Sequence, residues 1–378
     1  MRLVFFINYL NSHQVYLMDE FYTLLGDSFH CITTLPRSSE ELKGGADFST
    51  RPYCILATES ITNREYALRM AREAEVCVFG ACSQEYANER TRFGRKGLSF
   101  EMGERWLKRG LINVLSPTFR RWYVNYLKYY RHHPFYKLCC SAYTAPDDLR
   151  LHVYKGRHYK WGYFTQVSPF DDDRPLCENS PRTISIMWCA RFLKWKHPEL
   201  VIELARKLKD RGYYVHFEMY GDGPERKSTE CLCSQLGVQK MVSFKGSLPN
   251  EMILQAMRNS DIFLFTSDKN EGWGAVLNEA MSSRCAVVSS DAVGAAPFLI
   301  RDGENGFLFR SERLQSLYEK VIYLLDNSEI RNKVAERGYQ DMLHVWSPRS
   351  AARNLIQLID DLEAGREPTV QQGPCSKA

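Results

Sequence analysis

The 378-residue chain contains no uninterrupted apolar run of about 18 residues, which excludes a membrane-crossing helix. The opening "MRLVFFINYLNSHQ" is too short in its apolar part for a secretory leader and lacks a small-residue cleavage site. A cytosolic protein is expected. There is no Cys-x-x-Cys, and Cys231 and Cys233 have no second pair at zinc-finger spacing. The twelve cysteines are scattered, many inside apolar runs such as "EVCVFG", "KLCCS" and "SIMWCA", so they read as reduced core thiols. No short-period repeat or low-complexity segment occurs. A formal net charge of +5 is small for this length and excludes little.

What is present is an alternation. "RLVFFIN", "FHCITT", "YCILA", "EVCVFG" and "YKLCCS" read as strands in the first half, with helices at "HQVYLMDEFYTLLG" and "NREYALRMAREAE". The pattern restarts after residue 180 with "TISIMWCA", "YYVHFEMYG", "MVSFKG", "IFLFT", "CAVVSS" and "GFLF", separated by helices beginning near His197, Pro224, Asn250, Gly274 and Ser311. Strand and helix in strict alternation imply parallel sheets covered on both faces, and the length exceeds what one core usually serves. The expected organisation is α/β: a first Rossmann-like domain at 1–165, a linker at 166–182, a second Rossmann-like domain at 183–345, a helix at 346–364 packing back toward the first domain, and a disordered tail at 365–378. The Asp171 to Asp173 run reads as solvated linker rather than a metal site, since no histidine accompanies it.

In doubly wound domains ligands lie beyond the carboxyl ends of the strands. "IFLFTSDKNEGWGAVLNEAM" is such a junction: a strand, a polar loop with Glu271, glycines, then a helix carrying Glu279. If mostly helical, the eight residues between the glutamates span at most about 12 Å, the scale of a sugar, a diphosphate and a ribose in a row. Either glutamate taken alone reads rather as a helix-start or surface residue. Two further loops at the same sheet edge favour a site. "WCARFLKWKHPE" supplies Arg191 and Lys196, suited to neutralising a diphosphate, and "YGDGPER" supplies two glycines.

The ordered series "ARFLKWKHPE", "YGDGPE", "FKGSLP", "LFTSDKNEGWGAVLNEAM" and "AVVSSDAVGAAPFLIRDGENGFLF" resembles the donor-binding domain of family-4 retaining glycosyltransferases of GT-B fold, over residues 183 to about 345. The first half is more loosely similar to acceptor domains of bacterial polysaccharide-building members, through "NYLNSHQ", "SAYTAPD" and "KWGYF". The resemblance implies two Rossmann-like domains whose parallel sheets face each other across a cleft. It implies that Glu271 contacts the donor sugar, Glu279 the ribose, and Arg191 and Lys196 the diphosphate, helped by the backbone of Gly272, Trp273 and Gly274. Gly221, Asp222 and Gly223 would line the donor cleft, and Phe244, Lys245 and Gly246 would face the base. Where relatives carry a glycine-rich loop after the first strand, this chain reads "INYLNSHQ", so no phosphate contact is carried over to the first domain.

The resemblance also implies transfer with retention and without a cofactor or metal. Consistently, no Asp-x-Asp occurs in a strand-end loop of the second half. His13, at the first strand-to-helix junction, reads as an acceptor-orienting group or base, or as a structural histidine. Glu101 and Glu104 in "SFEMGERWLKRG" read as acceptor-side candidates or as solvated carboxylates beside a basic helix. Segment 116–137 interleaves five Lys or Arg with aromatics and reads either as a helix lying on anionic membrane or as a core helix with a basic edge, with no platform for nucleic acid. The expected partners are a nucleotide-sugar donor, a saccharide or lipid-linked saccharide acceptor, and the inner face of the cytoplasmic membrane. A nucleotide-sugar epimerase of the same shape and a noncatalytic nucleotide-sugar-binding protein are the alternatives.

Overall fold

The computed structural model describes residues 1–36, 48–81, 84–94, 96–108, 110–167, 169 and 183–378. It divides the chain into two compact units, Met1–Gln166 together with Trp346–Ala378, and Val167–Val345. The Asp171 to Asp173 run and nearly all of the segment expected as a linker lie outside the described residues.

The first unit has strands β1 (Leu3–Ile7), β2 (Phe29–Thr33), β3 (Cys54–Leu56), β4 (Val76–Phe79), β5 (Ser99–Gly103), β6 (Phe135–Cys139) and β7 (His158–Lys160). Among the described residues they form a parallel sheet ordered β3-β2-β1-β4-β5-β6-β7. Every residue of β1 is fully buried, as expected of a central strand covered on both faces. The chain winds from β1 outward to β3, then returns to the other side of β1 with β4. The loops after β1 and β4 therefore diverge and leave a crevice at the carboxyl ends. Strands β5 and β7 are not anticipated from the sequence. Glu101 thus lies in a strand, not beside a basic helix.

Segment 116–137 is not one helix either. A helix at Pro117–Lys128 ends at a turn over Tyr130–His132, and Pro134 then leads into β6. Phe119, Trp122 and Tyr126 are buried, and Lys137 is only 1% exposed, so this lysine belongs to the interior. The helix Pro348–Glu363, with the Ser347 hydroxyl accepting from the Ser350 amide at 3.2 Å, packs on the helix Val15–Leu25. The tail expected to be disordered is instead held in place: Cys375 N donates to Lys160 O at 2.7 Å and Lys160 N to Ser376 O at 2.8 Å, with Cys375 fully buried. Its anchorage is backbone pairing at the sheet edge, which needs no apolar periodicity.

The second unit has strands β8 (Ile184–Cys189), β9 (Val215–Tyr220), β10 (Val242–Gly246), β11 (Ile262–Phe265), β12 (Ala286–Ser290) and β13 (Phe307–Phe309). They form a parallel sheet ordered β10-β9-β8-β11-β12-β13, so the crevice here opens between the loops after β8 and β11. The helix Glu199–Asp210 lays Leu200, Val201, Leu204, Ala205 and Leu208 into its core. The described cysteines are free thiols, most of them buried. Among the described residues no helix is long and apolar enough to cross a membrane.

Candidate functional site

In the second unit the loops after β8, β9 and β11 are tied to one another. Phe192 N donates to Asp222 O at 2.9 Å, Gly221 N to Gly246 O at 2.8 Å, and Asp268 N to Trp195 O at 3.0 Å. Gly221, at φ +119°, lies so near the preceding loop that a Cβ would stand 2.0 Å from Ala190 O. The glycine is required by loop-to-loop packing, and the packing holds Arg191 outward. Arg191 is exposed, and no ion pair to it occurs among the described residues. The carboxylate of Asp222 accepts from the Gly223 amide at 2.7 Å, while Lys245 is paired with Glu218 at 2.8 Å and Phe244 packs on Phe192.

Lys196 sits in a turn whose carbonyl accepts from the Thr266 hydroxyl at 2.6 Å, and its ammonium ion-pairs with Glu271. The ammonium also lies over the Trp195 ring, 4.3 Å from its centroid. The two residues assigned to diphosphate and sugar are therefore each other's partner here, both nearly buried. Gly274, at φ +91°, lets the loop turn where a Cβ would meet the Phe265 ring at 2.5 Å. Trp273, whose backbone is expected to help hold the diphosphate, has its side chain turned inward: it is 1% exposed, and its indole N–H donates to Asn278 Oδ1 at 2.9 Å. Its side chain pins the loop rather than lining a site. Glu279 follows in the seven-residue helix Val276–Ser282, 8% exposed, and burial pushes its carboxyl up to about 7, opposed by a hydrogen bond from Asn250.

In the first unit a cavity of about 980 Å³ opens at the carboxyl ends of β1, β4 and β5, lined among others by His13, Gln84, Glu101, Glu104, Trp106 and Lys137. The structure thus brings His13, Glu101 and Glu104 together. His13 stacks on Tyr163 with centroids 6.3 Å apart, its Nδ1 is buried without a hydrogen bond, and desolvation holds its pKa below the usual histidine value. Glu101 accepts from Trp122 Nε1 at 2.9 Å and from the Tyr154 hydroxyl, and ion-pairs with Lys137 at 3.2 Å. Glu104 accepts from the Tyr163 hydroxyl at 3.1 Å and from Lys108 at 2.8 Å. Burial pulls the Lys137 ammonium pKa down, but Glu101 and Asp148 more than offset it, so the net shift is upward.

Sequence reasoning missed Lys137, Tyr163 and the Arg105–Asp147 pair, whose two bonds of 3.0 and 3.1 Å anchor the loop after β5. One signal was available: a lysine inside the apolar strand "YKLCCS" needs a buried counter-charge.

Residues 177–341 match the family model described as Glycosyl transferases group 1. The chain is 29% identical over 194 residues to the alpha-D-kanosaminyltransferase of Streptomyces kanamyceticus, covering 51% of this chain and 45% of that protein. It is 27% identical over 187 residues to the lipopolysaccharide core biosynthesis glycosyltransferase LpsE of Rhizobium meliloti, covering 50% and 53%. The chain thus spans about half the length of these curated relatives. The crystal structure of Anabaena HepE in complex with UDP superposes with a TM-score of 0.71 at 15% identity, covering 96% of this chain and all of that one. Residues 177–341 are thus similar to the group 1 glycosyltransferases, and the two doubly wound units have the GT-B fold of the solved neighbours.

Proposed function

We propose that the protein transfers a sugar from a nucleotide-diphosphate sugar to a saccharide acceptor, with retention of the anomeric configuration and no metal in the chemical step. The observation that carries this reading is the Lys196–Glu271 pair with exposed Arg191, on the loops flanking the crevice of the second sheet. An ion pair withdrawn from water gains little net energy, because desolvation offsets attraction. Exchanging it is therefore inexpensive when both partners find new ones: the ammonium takes a phosphate oxygen and the carboxylate a sugar hydroxyl. Arg191 adds a second cation, so charge developing on the leaving diphosphate is stabilised by side chains alone. The leaving phosphate oxygen accepts the acceptor's proton on the same face, and Glu271 orients the sugar. Glu279 accepts from the ribose, and the UDP bound to HepE supports a uridine diphosphate donor.

The acceptor is assigned to the cavity of the first unit, where amide side chains and Trp106 offer hydrogen bonds and an apolar wall to a saccharide. A lipid-linked acceptor is supported by Leu111, Ile112 and Leu115, each at least 60% exposed, beside the exposed Arg120, Arg121 and Lys128 of the helix Pro117–Lys128. Apolar side chains flanked by cations suit the headgroup region of anionic lipid, which supports a position at the inner face of the cytoplasmic membrane. The test is incubation with a panel of uridine and guanosine diphosphate sugars and lipid-linked saccharides in excess chelator, with the product's anomeric configuration read by NMR. A retained linkage formed in chelator is expected. Inversion, an absolute magnesium requirement, or epimerised free donor without acceptor overturns the reading.

A further inference from the structure

Lys196 is followed by a residue the sugar-transfer reading does not use. His197 has its Nδ1 2.7 Å from Glu199 Oε1, which fixes the ring, and its side chain is 13% exposed. Its Nε2 is buried and makes no hydrogen bond. That nitrogen points toward Asp268 Oδ2 at 3.6 Å, too far for a hydrogen bond. A carboxylate oxygen of Glu312 completes the group: ligand atoms of His197, Asp268 and Glu312 all lie within 4.8 Å of one another. Asp268 Oδ1 accepts from the amide and side chain of Asn270, at 2.8 and 2.9 Å, and Oδ2 accepts a longer bond from the same side chain at 3.2 Å, which leaves it lone-pair capacity for an ion.

These separations have a natural filler. With metal–ligand distances of about 2.1 Å, two ligand atoms of a tetrahedral ion stand roughly 3.4 Å apart, close to the Nε2 to Oδ2 separation. A histidine whose far nitrogen is held by a carboxylate is also the usual posture of a metal-bound imidazole, since that bond sets the tautomer and aims the free lone pair. One imidazole with two carboxylates suits a first-row transition ion better than magnesium or calcium, which favour oxygen alone.

We infer that His197, Asp268 and Glu312 form a site for one divalent transition ion of the zinc type, with Glu199 as outer support and water completing the shell. The site joins the loops after β8, β11 and β13. One ligand follows Lys196 directly and another precedes Glu271 by three positions, so the ion braces the backbone that carries this pair without touching substrate.

The binding is measured without donor or acceptor, so it stands or falls separately from sugar transfer. Zinc alone is titrated by calorimetry into chelator-treated full-length protein at about pH 8, above the ordinary histidine range. Cobalt is used in parallel to report the ligand set. One ion per chain should bind, the cobalt spectrum should lack thiolate charge transfer, and Glu312→Gln, at an exposed position, should weaken binding at least about tenfold, or 1.4 kcal/mol. His197→Asn, which tolerates the residue's φ of +51°, should abolish it. No saturable binding, a thiolate spectrum, or equal affinity in Glu312→Gln overturns the assignment.

Discussion

Glu279→Gln should move stability and nucleotide binding in opposite directions. The Glu279 carboxyl ordinarily titrates near 4.5 and is pushed up to about 7 in the fold by burial. Between those values the folded chain holds a proton that the unfolded chain has lost, so stability falls as pH rises through this window. Above it the full cost of a buried charge is present: about 2.5 pKa units at 1.36 kcal/mol each, or on the order of 3 kcal/mol. Glutamine keeps the shape and removes the charge. At pH about 8 the variant should therefore be more stable than the parent by up to this amount, and at pH about 4, below both values, where the carboxyl is mostly protonated folded and unfolded, the difference should nearly vanish. Binding should respond oppositely. A charged acceptor toward a ribose hydroxyl is worth about 1.5 to 3 kcal/mol, so affinity for uridine diphosphate should fall roughly tenfold or more. Urea unfolding at the two pH values, alongside calorimetry with the diphosphate, measures both. A variant less stable at pH about 8, or one binding the diphosphate as tightly as the parent, refutes the reasoning that this carboxylate is kept buried for the nucleotide.

Lys196→Met should destabilise by about 1 to 3 kcal/mol by stranding the Glu271 charge, and adding Glu271→Gln should recover much of that loss while transfer stays at least a hundredfold down; thermal melts with turnover assays separate the two effects. Arg191→Ala, at an exposed side chain with no ion pair among the described residues, should leave the melting temperature unchanged and weaken diphosphate binding about tenfold by calorimetry. Lys137→Met should cost about 3 to 5 kcal/mol in urea unfolding, because Glu101 remains buried without its cation. Arg120→Glu with Arg121→Glu should abolish co-sedimentation with acidic vesicles at low salt, and the parent should release as ionic strength rises.

The second unit was legible because its strands are short apolar runs set between helical segments, and because parallel strands place every following loop at one edge. Arg191, Lys196, Glu271 and Glu279 could then be assigned to loops and a helix start at that edge without coordinates. That Lys196 and Glu271 pair with each other could not be read, since a ladder of strands says nothing about which side chains meet across its loops. Trp273 was assigned through its backbone, and the inward turn of its side chain could not be read for the same reason: Asn278, five residues on, draws its indole inward. Strand β5 was missed because "SFEMG" is short and carries a charge, and Lys137 was misplaced because aromatics and cations continue without a break through Pro134 into β6. The tail from Gly365 was misjudged because edge pairing leaves no mark in apolar spacing.

The docking of Pro348–Glu363 on Val15–Leu25 has a consequence for the order of assembly. The second unit is one continuous stretch, Val167–Val345, and can close as soon as it has emerged from the ribosome. The first unit is written in two pieces that flank it, so the sheet begun by β1 lacks its last helix and the segment pairing with β7 until translation reaches them. The older half of the chain is thus the later to mature, and its helix Val15–Leu25 and edge strand β7 wait for their partners while the younger half is already native. Chaperone demand during synthesis should concentrate on Met1–Gln166, and truncations that remove Trp346–Ala378 should leave the second unit folded and the first one not.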